Sequence, residues 1–221
     1  MFNTVETARR IKEARLAQNM TQMALADAMG VSFTLVTGSE RALLVDTGYG
    51  LEDVAAYIRT VTSLPVDVLL THGHHDHALG ARWFPSVQMS AEDLPVFRLR
   101  TAAAQRERVL EQAAAKGVSA PDDFRTAPIA DPEPIRFDRD LAGFPCRTYS
   151  LGSLDVLVMQ VPGHTPGSVC YLIENELFTG DTLFEHGWGR TDLPGGNEQD
   201  MYASLRRIMP LARQYPMHAG H

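Results

Sequence analysis

Between Thr71 and Gly80 the chain reads THGHHDHALG, four histidines and an aspartate within six positions, directly after the apolar residues Val66, Val68, Leu69 and Leu70. His72 and His74 stand two apart at the end of an extended segment, so their side chains project to one side, and Asp76 and His77 follow as the chain turns. An H-x-H-x-D-H spacing can fill two adjacent metal sites, and imidazole with carboxylate is a donor set for zinc and also for manganese or iron. By the same alternation His75 is expected to point away. A merely solvated loop would stand alone, yet ligand-like elements recur downstream. VPGHTPGS, Val161 to Ser168, lifts His164 out of a strand on a Gly/Pro turn. FTGDT, Phe178 to Thr182, presents Asp181 after another strand, and Ala219-Gly220-His221 follows a third.

Each candidate sits where a strand gives way to a loop, which would bring ligands distant in sequence to one edge of a layered fold. Phe33 to Val36 and Ala42 to Val45 read as a hairpin around Gly38-Ser39-Glu40, ending at Asp46-Thr47-Gly48, where Asp46 can cap the turn. A helix from Leu51 to Ser63 leads to the strand Val66 to Leu70. A short helix, a strand near Val87 to Ser90 and a helical stretch from Ala91 to Lys116 come next, and the proline- and acid-rich Pro121 to Pro134 completes an insertion at about 91–134. The stretch from Ala91 to Lys116 reads as a packed amphipathic helix, with a cover over the site or a homodimer surface as alternatives. Strands resume at Cys146 to Leu151, Leu154 to Val161, Val169 to Glu174 and Glu176 to Thr179, before a helix from Glu198 to Leu211 and a last short strand. Strands mixed with helices throughout predict an α/β protein.

A chain of 221 residues, 44% hydrophobic, can build one main domain with a substantial core. Its net charge of -7 argues against affinity of the whole protein for nucleic acid. No apolar run is long enough to span a bilayer, and the first residues lack an apolar signal core. Two cysteines, Cys146 and Cys170, form no disulfide framework and read as buried small hydrophobes, in keeping with a cytoplasmic location.

Taken in order, LLVDTG, THGHHDH, VPGHTPGS and FTGDTLF resemble the metallo-β-lactamase superfamily, over a span from about Phe33 to His221. The resemblance implies a four-layer αβ/βα sandwich holding two divalent metal ions, zinc first, with iron or manganese as alternatives. It implies His72, His74 and His164 as the first metal site, Asp76, His77 and His221 as the second, and Asp181 as a bridge. Asp46 would be a carboxylate behind the ligands that orients their loop, a role compatible with capping its turn. His221 is preferred to His218 because Ala219-Gly220-His221 resembles the family's Gly-His turn, whereas His218 would lie inside the strand. GRTDLPGG, Gly189 to Gly196, is similar to glyoxalase II-like hydrolases and persulfide dioxygenases. Within it Arg190 and Asp192 pair to fix the loop, or Arg190 faces an anionic substrate. The implied activity is hydrolysis of a thioester or related ester-like bond in a small-molecule substrate by a metal-bridging hydroxide, with Asp76 as ligand and local proton acceptor. The alternative is an oxygenase with a single iron on His72, His164 and Asp181, acting on a persulfide.

The segment ARRIKEARLAQNMTQMALADAMGVS resembles the opening helices of a Cro and lambda repressor type helix-turn-helix, and Thr4 to Gly30 reads as helix. Its likeness runs on through Val36, Glu40 and Arg41 into the predicted hairpin, and one segment cannot be both in one state. Despite Arg9, Arg10, Lys12 and Arg15, a helical extension over residues 1–30 that packs on the body is preferred to a DNA-binding regulator.

Overall fold

The computed structural model describes residues 21–26 and 29–221. Two six-stranded sheets face each other. The first is built from β1 (Thr21–Ala26), β2 (Ser32–Thr37), β3 (Ala42–Val45), β4 (Val66–Leu69), β5 (Gln88–Met89) and β6 (Glu133–Pro134), ordered as in the chain. The hairpin signal around Gly38 is borne out: β2 and β3 pair antiparallel, while β3 through β6 run parallel. Parallel neighbours need crossovers, which is what α1 (Val54–Val61) and the insertion supply. Asp53 starts α1 by accepting the Ala56 N–H at 2.7 Å. The short α2 (His75–Ala78) then leaves the ligand loop, and α3 (Leu94–Thr101) and α4 (Ala103–Ala115) form the helical part of the insertion.

The second sheet runs β14-β11-β10-β9-β8-β7, from β7 (Arg139–Leu141), β8 (Phe144–Ser150), β9 (Asp155–Gln160), β10 (Val169–Ile173), β11 (Glu176–Gly180) and β14 (Met217–Ala219). A two-stranded ribbon, β12 (Leu183–Phe184) and β13 (Gly187–Trp188), follows β11, and α5 (Glu198–Gln214) returns the chain to β14. Strand alternation decides the layers. Leu43, Val45 and Leu69 of the first sheet meet Val156, Val158, Tyr171 and Ile173 of the second in the central core. On the outer face of the first sheet, Leu35, Leu44 and Val68 pack with Val54 and Ile58 of α1 and Phe97 of α3. Outside the second, Cys146, Met159, Cys170 and Leu177 pack on Met201, Leu205 and Ile208 of α5. That is the four-layer α/β sandwich, with both cysteines free and buried. Among the described residues no helix is long and apolar enough to cross a membrane.

Two expected helices are corrected, and four short strands had no counterpart in the sequence pattern. The helix predicted from Thr4 to Gly30 does not hold at Thr21–Ala26, which is strand β1, antiparallel to β2, so this part of the expected extension belongs to the first sheet. Edge pairing outweighs helical propensity there. Residues 1–20, with Arg9, Arg10, Lys12 and Arg15, lie outside the described residues. Arg41, counted in the helix-turn-helix likeness, instead grips Asp67 with Nε and Nη2, both at 2.6 Å. The helix predicted from Ala91 to Lys116 breaks at Ala102, which is extended at φ -61° and ψ 157°, and α4 then packs Val109 and Ala113 on Phe124 and Met29. Finally β6, β7, β12 and β13 went unpredicted, being two or three residues long with little buried alternation.

Candidate metal centre

All the predicted ligands meet at the edge of the two sheets where β4, β9, β11 and β14 end. Asp46 follows β3 in the left-handed region, φ 62°, a conformation aspartate tolerates better than most residues. From there its buried carboxylate accepts the Thr71 N–H at 2.7 Å and the Thr71 hydroxyl at 2.8 Å, and lies 2.9 Å from His77 Nδ1. These contacts run from the turn to the loop of the predicted ligands, so the carboxylate orients that loop, and the expected cap of its own turn is not among them. With Nδ1–H donated to Asp46, Nε2 is the atom His77 turns to the cavity and the one a metal would take after displacing its proton. His164 is set the same way, with Nδ1 2.8 Å from the Arg190 carbonyl. Gly163, at φ 147°, lets this turn lie on α5, where an added Cβ would come within 2.4 Å of the Met201 Cα.

The donors fall into three overlapping groups, His72 with His74 and His164, His72 with His77 and Asp181, and Asp76 with His77 and His221. Within each, the ligating atoms lie within 4.8 Å of one another. His164 Nε2 is 3.0 Å from His74 Nδ1, and His77 Nε2 is 3.3 Å from His221 Nε2. Asp181 reaches both sides: Oδ1 is 3.4 Å from His77 Nε2 and Oδ2 is 3.6 Å from His164 Nε2. Asp76 Oδ2 lies 3.4 Å from His221 Nε2. His72 Nε2 and Asp181 Oδ1 are buried without a hydrogen-bond partner. Imidazole nitrogens turned toward one another, beside orphaned acceptors, are costly in a protein interior unless a cation sits among them, so the residues present fit divalent metals.

The electrostatics divide the cluster. Burial, reinforced by neighbouring histidines, pushes His72 well below the ordinary imidazole range, and burial with His164 takes His74 down to about 3. Burial also lowers His164. These three are neutral and ready to ligate. Burial would lower His77 too, but Asp181, Asp46 and Asp76 hold it well above its usual value. Hydrogen bonds to Asp181 and Asp76 raise His221 to about 9. Asp181 and Asp76, which burial alone would raise, are drawn well below the usual carboxylate range by His77 and His221. A metal binding on this second side must therefore displace protons.

Other expectations resolve as follows. His218 is 2.6 Å from Glu176 and stacks on Phe178, away from the donors. His75 does not point away. It begins α2, lines the cavity beside Asp76 and meets the Tyr49 ring edge-on at 5.5 Å, because the helical turn cancels the alternation of an extended strand. Arg190 holds Asp192 through Nε and Nη2, both at 2.7 Å, on the cavity rim. One residue escaped the sequence reading altogether. Buried Asp93, just before α3, accepts the Gly73 N–H at 2.6 Å, the Gly167 N–H at 2.7 Å and the Thr165 hydroxyl at 2.9 Å, tying the loop of His72 and His74 to the loop of His164. Its only local signal is an acid at a helix start, since its partners lie 20 and 74 residues away.

The metallo-beta-lactamase superfamily model matches residues 26–211. The chain belongs to that superfamily. Among its relatives is a hydroxyacylglutathione hydrolase of Shewanella halifaxensis (strain HAW-EB4), 34% identical over 83% of this chain and 57% of its own length. Glyoxylase B2 of Dictyostelium discoideum is 28% identical over 77% of this chain and 54% of its own. The chain therefore spans little more than half the length of these relatives. Among solved structures, TTHA1623 in a di-iron-bound form superposes with a TM-score of 0.62 at 28% identity, covering 88% of each chain. ETHE1 from Myxococcus xanthus gives 0.59 at 25% identity, over 91% of this chain and 76% of the other.

Proposed function

We propose that the protein is a metal-dependent hydrolase of thioesters or related ester-like bonds, holding two divalent metal ions, zinc first, on His72, His74 and His164 and on Asp76, His77 and His221, with Asp181 between them. The observation that carries this reading is the Asp181 carboxylate, whose two oxygens face the two histidine sets at 3.4 and 3.6 Å. The relatives named for hydroxyacylglutathione hydrolysis and the GRTDLPGG loop favour a thioester over other acyl bonds. Bound there, the metals would acidify water and polarise a carbonyl, which is the chemistry hydrolysis needs at neutral pH. The chain's own residues do the rest. Asp46 and the Arg190 carbonyl fix the two imidazoles that must offer Nε2. Asp76, ionised and facing the cavity, accepts a hydrogen bond from the attacking water and orients it. Phe184 and Leu193 give the cavity an apolar flank that limits water around the scissile bond.

Metal analysis of protein purified with and without oxygen, together with a thioester panel, tests the reading. The expected result is two metals per chain and metal-dependent thioester hydrolysis abolished by chelation. One iron per chain with persulfide-dependent oxygen uptake would replace it with the oxygenase.

A further inference from the structure

The cavity above the donors has a volume of about 370 Å³, with His74, Asp76, His164 and Asp181 at its floor and Arg100 and Arg190 in its wall. The two guanidinium groups differ in one respect. Arg190 is occupied by Asp192, which it grips through Nε and Nη2. Arg41, elsewhere in the fold, grips Asp67 with the same two atoms. Arg100 carries that same Nε and Nη2 edge buried, and neither atom has a hydrogen-bond partner among the described residues. We propose that Arg100 is the anchor for a carboxylate on the substrate, placed away from the scissile carbonyl, so that the proposed hydrolase selects acids over neutral thioesters. This proposal rests on the hydrolase reading of the same cavity.

Burying charged donors without an acceptor is unfavourable, and a residue serving only to pack would leave its head in solvent. The floor carboxylates do not neutralise it: Asp76 and Asp181 are engaged by His77 and His221. Arg100 is close enough for its charge to act on His74 and His75. Its position is also fixed relative to the donors. Arg100 lies in the last turn of α3, and the helix starts at Asp93, which bonds both ligand loops. At Gly73 the helix comes so close that a Cβ would meet the Phe97 nitrogen at 2.6 Å. A planar fork held at a set distance from the reacting centre reads a carboxylate bidentately.

The test uses the zinc-loaded protein and twin substrates, the S-acetyl thioester of mercaptopropionate and of its neutral amide, with longer homologues to cover the span. The expected result is a preference of about 10- to 100-fold in kcat/KM for the acid over the amide, expressed in KM, at one chain length. In Arg100→Gln that ratio should fall to near one, and Arg100→Lys should restore part of it. Equal rates for the twins at every length, or a ratio unchanged in Arg100→Gln, would overturn the proposal. Binding of the unreactive S-ethyl thioethers by calorimetry gives an independent reading in the unmutated protein. If no thioester is cleaved but the acid thioether still binds tighter than its amide, the hydrolase reading fails and the carboxylate site stands. Equal affinity of the two thioethers would remove the carboxylate site whatever the hydrolysis shows.

Discussion

Replacing Asp46 with asparagine isolates its role behind the ligands. Asparagine has the same shape and tolerates the left-handed backbone at φ 62° as well as aspartate does, so no conformational cost intervenes. Besides the Thr71 hydroxyl, the carboxylate serves two donors on opposite oxygens, the Thr71 N–H at 2.7 Å and His77 Nδ1 at 2.9 Å, both buried. An amide can accept only one of them. If its oxygen stays on Thr71, its NH₂ faces His77 and forces the proton of that imidazole to Nε2, which removes the lone pair turned toward Asp181 and His221. If the amide flips, the Thr71 N–H is buried against another donor, at a cost of about 1 to 3 kcal/mol. Either way zinc affinity at the His77 side should fall about 10- to 100-fold, roughly 1.4 to 2.7 kcal/mol. Titration of metal-stripped Asp46→Asn with zinc, followed by calorimetry, should show one site near the unmutated affinity and one weakened. Zinc affinities within about threefold of the unmutated protein at both sites, in a variant that is folded by circular dichroism, would refute the reasoning.

Three further outcomes follow from the same geometry. Asp93→Ala leaves the Gly73 and Gly167 N–H groups buried without acceptors, partly offset by relief of a carboxyl that burial pushes up; urea denaturation should show a loss of about 2 to 4 kcal/mol. His221→Ala should lower the bound zinc by one equivalent while His218→Ala, whose imidazole serves Glu176, should not, as read by elemental analysis. The metal-free protein should lose thermal stability as pH rises from about 6.5 toward about 9, because His221 and His77 bind protons more tightly folded than unfolded. Melting temperatures across that range should decline without zinc and stay level with it, since metal replaces those protons.

Most of the frame was legible because its signals are local. The alternation of Val156 and Val158 in β9 and of Val169, Tyr171 and Ile173 in β10, the run Ala42–Val45 and the apolar face of α5 each declare an element within a dozen residues. The donors were legible for a related reason: His72, His74, Asp76 and His77 share one short loop, and His164, Asp181 and His221 each end a recognisable strand. What was hidden depends on contacts no window contains. Strand β1 exists through its pairing with β2, and Thr21–Ala26 carries no pattern that overrules a helix. His75 turns into the cavity because α2 begins at that residue, a boundary that the alternation of an extended strand does not reveal.

Asp93 shows why the hidden part bears on function. A metal site assembled from separate loops needs those loops held at fixed spacing before the metal arrives, or ordering them would subtract from its affinity. Asp46 supplies that restraint between β3 and the His72 loop, and Asp93 supplies it between the His72 and His164 loops. Both do so with buried carboxylates on backbone N–H groups rather than with side chains facing the cavity. The donors are therefore free to face the cavity, and the carboxylate that ties the two loops together belongs to the residue that precedes the helix bearing Arg100. Loss of Asp93 should consequently weaken zinc binding and blunt the discrimination between acid and amide thioesters together. Loss of Arg100 should affect discrimination alone.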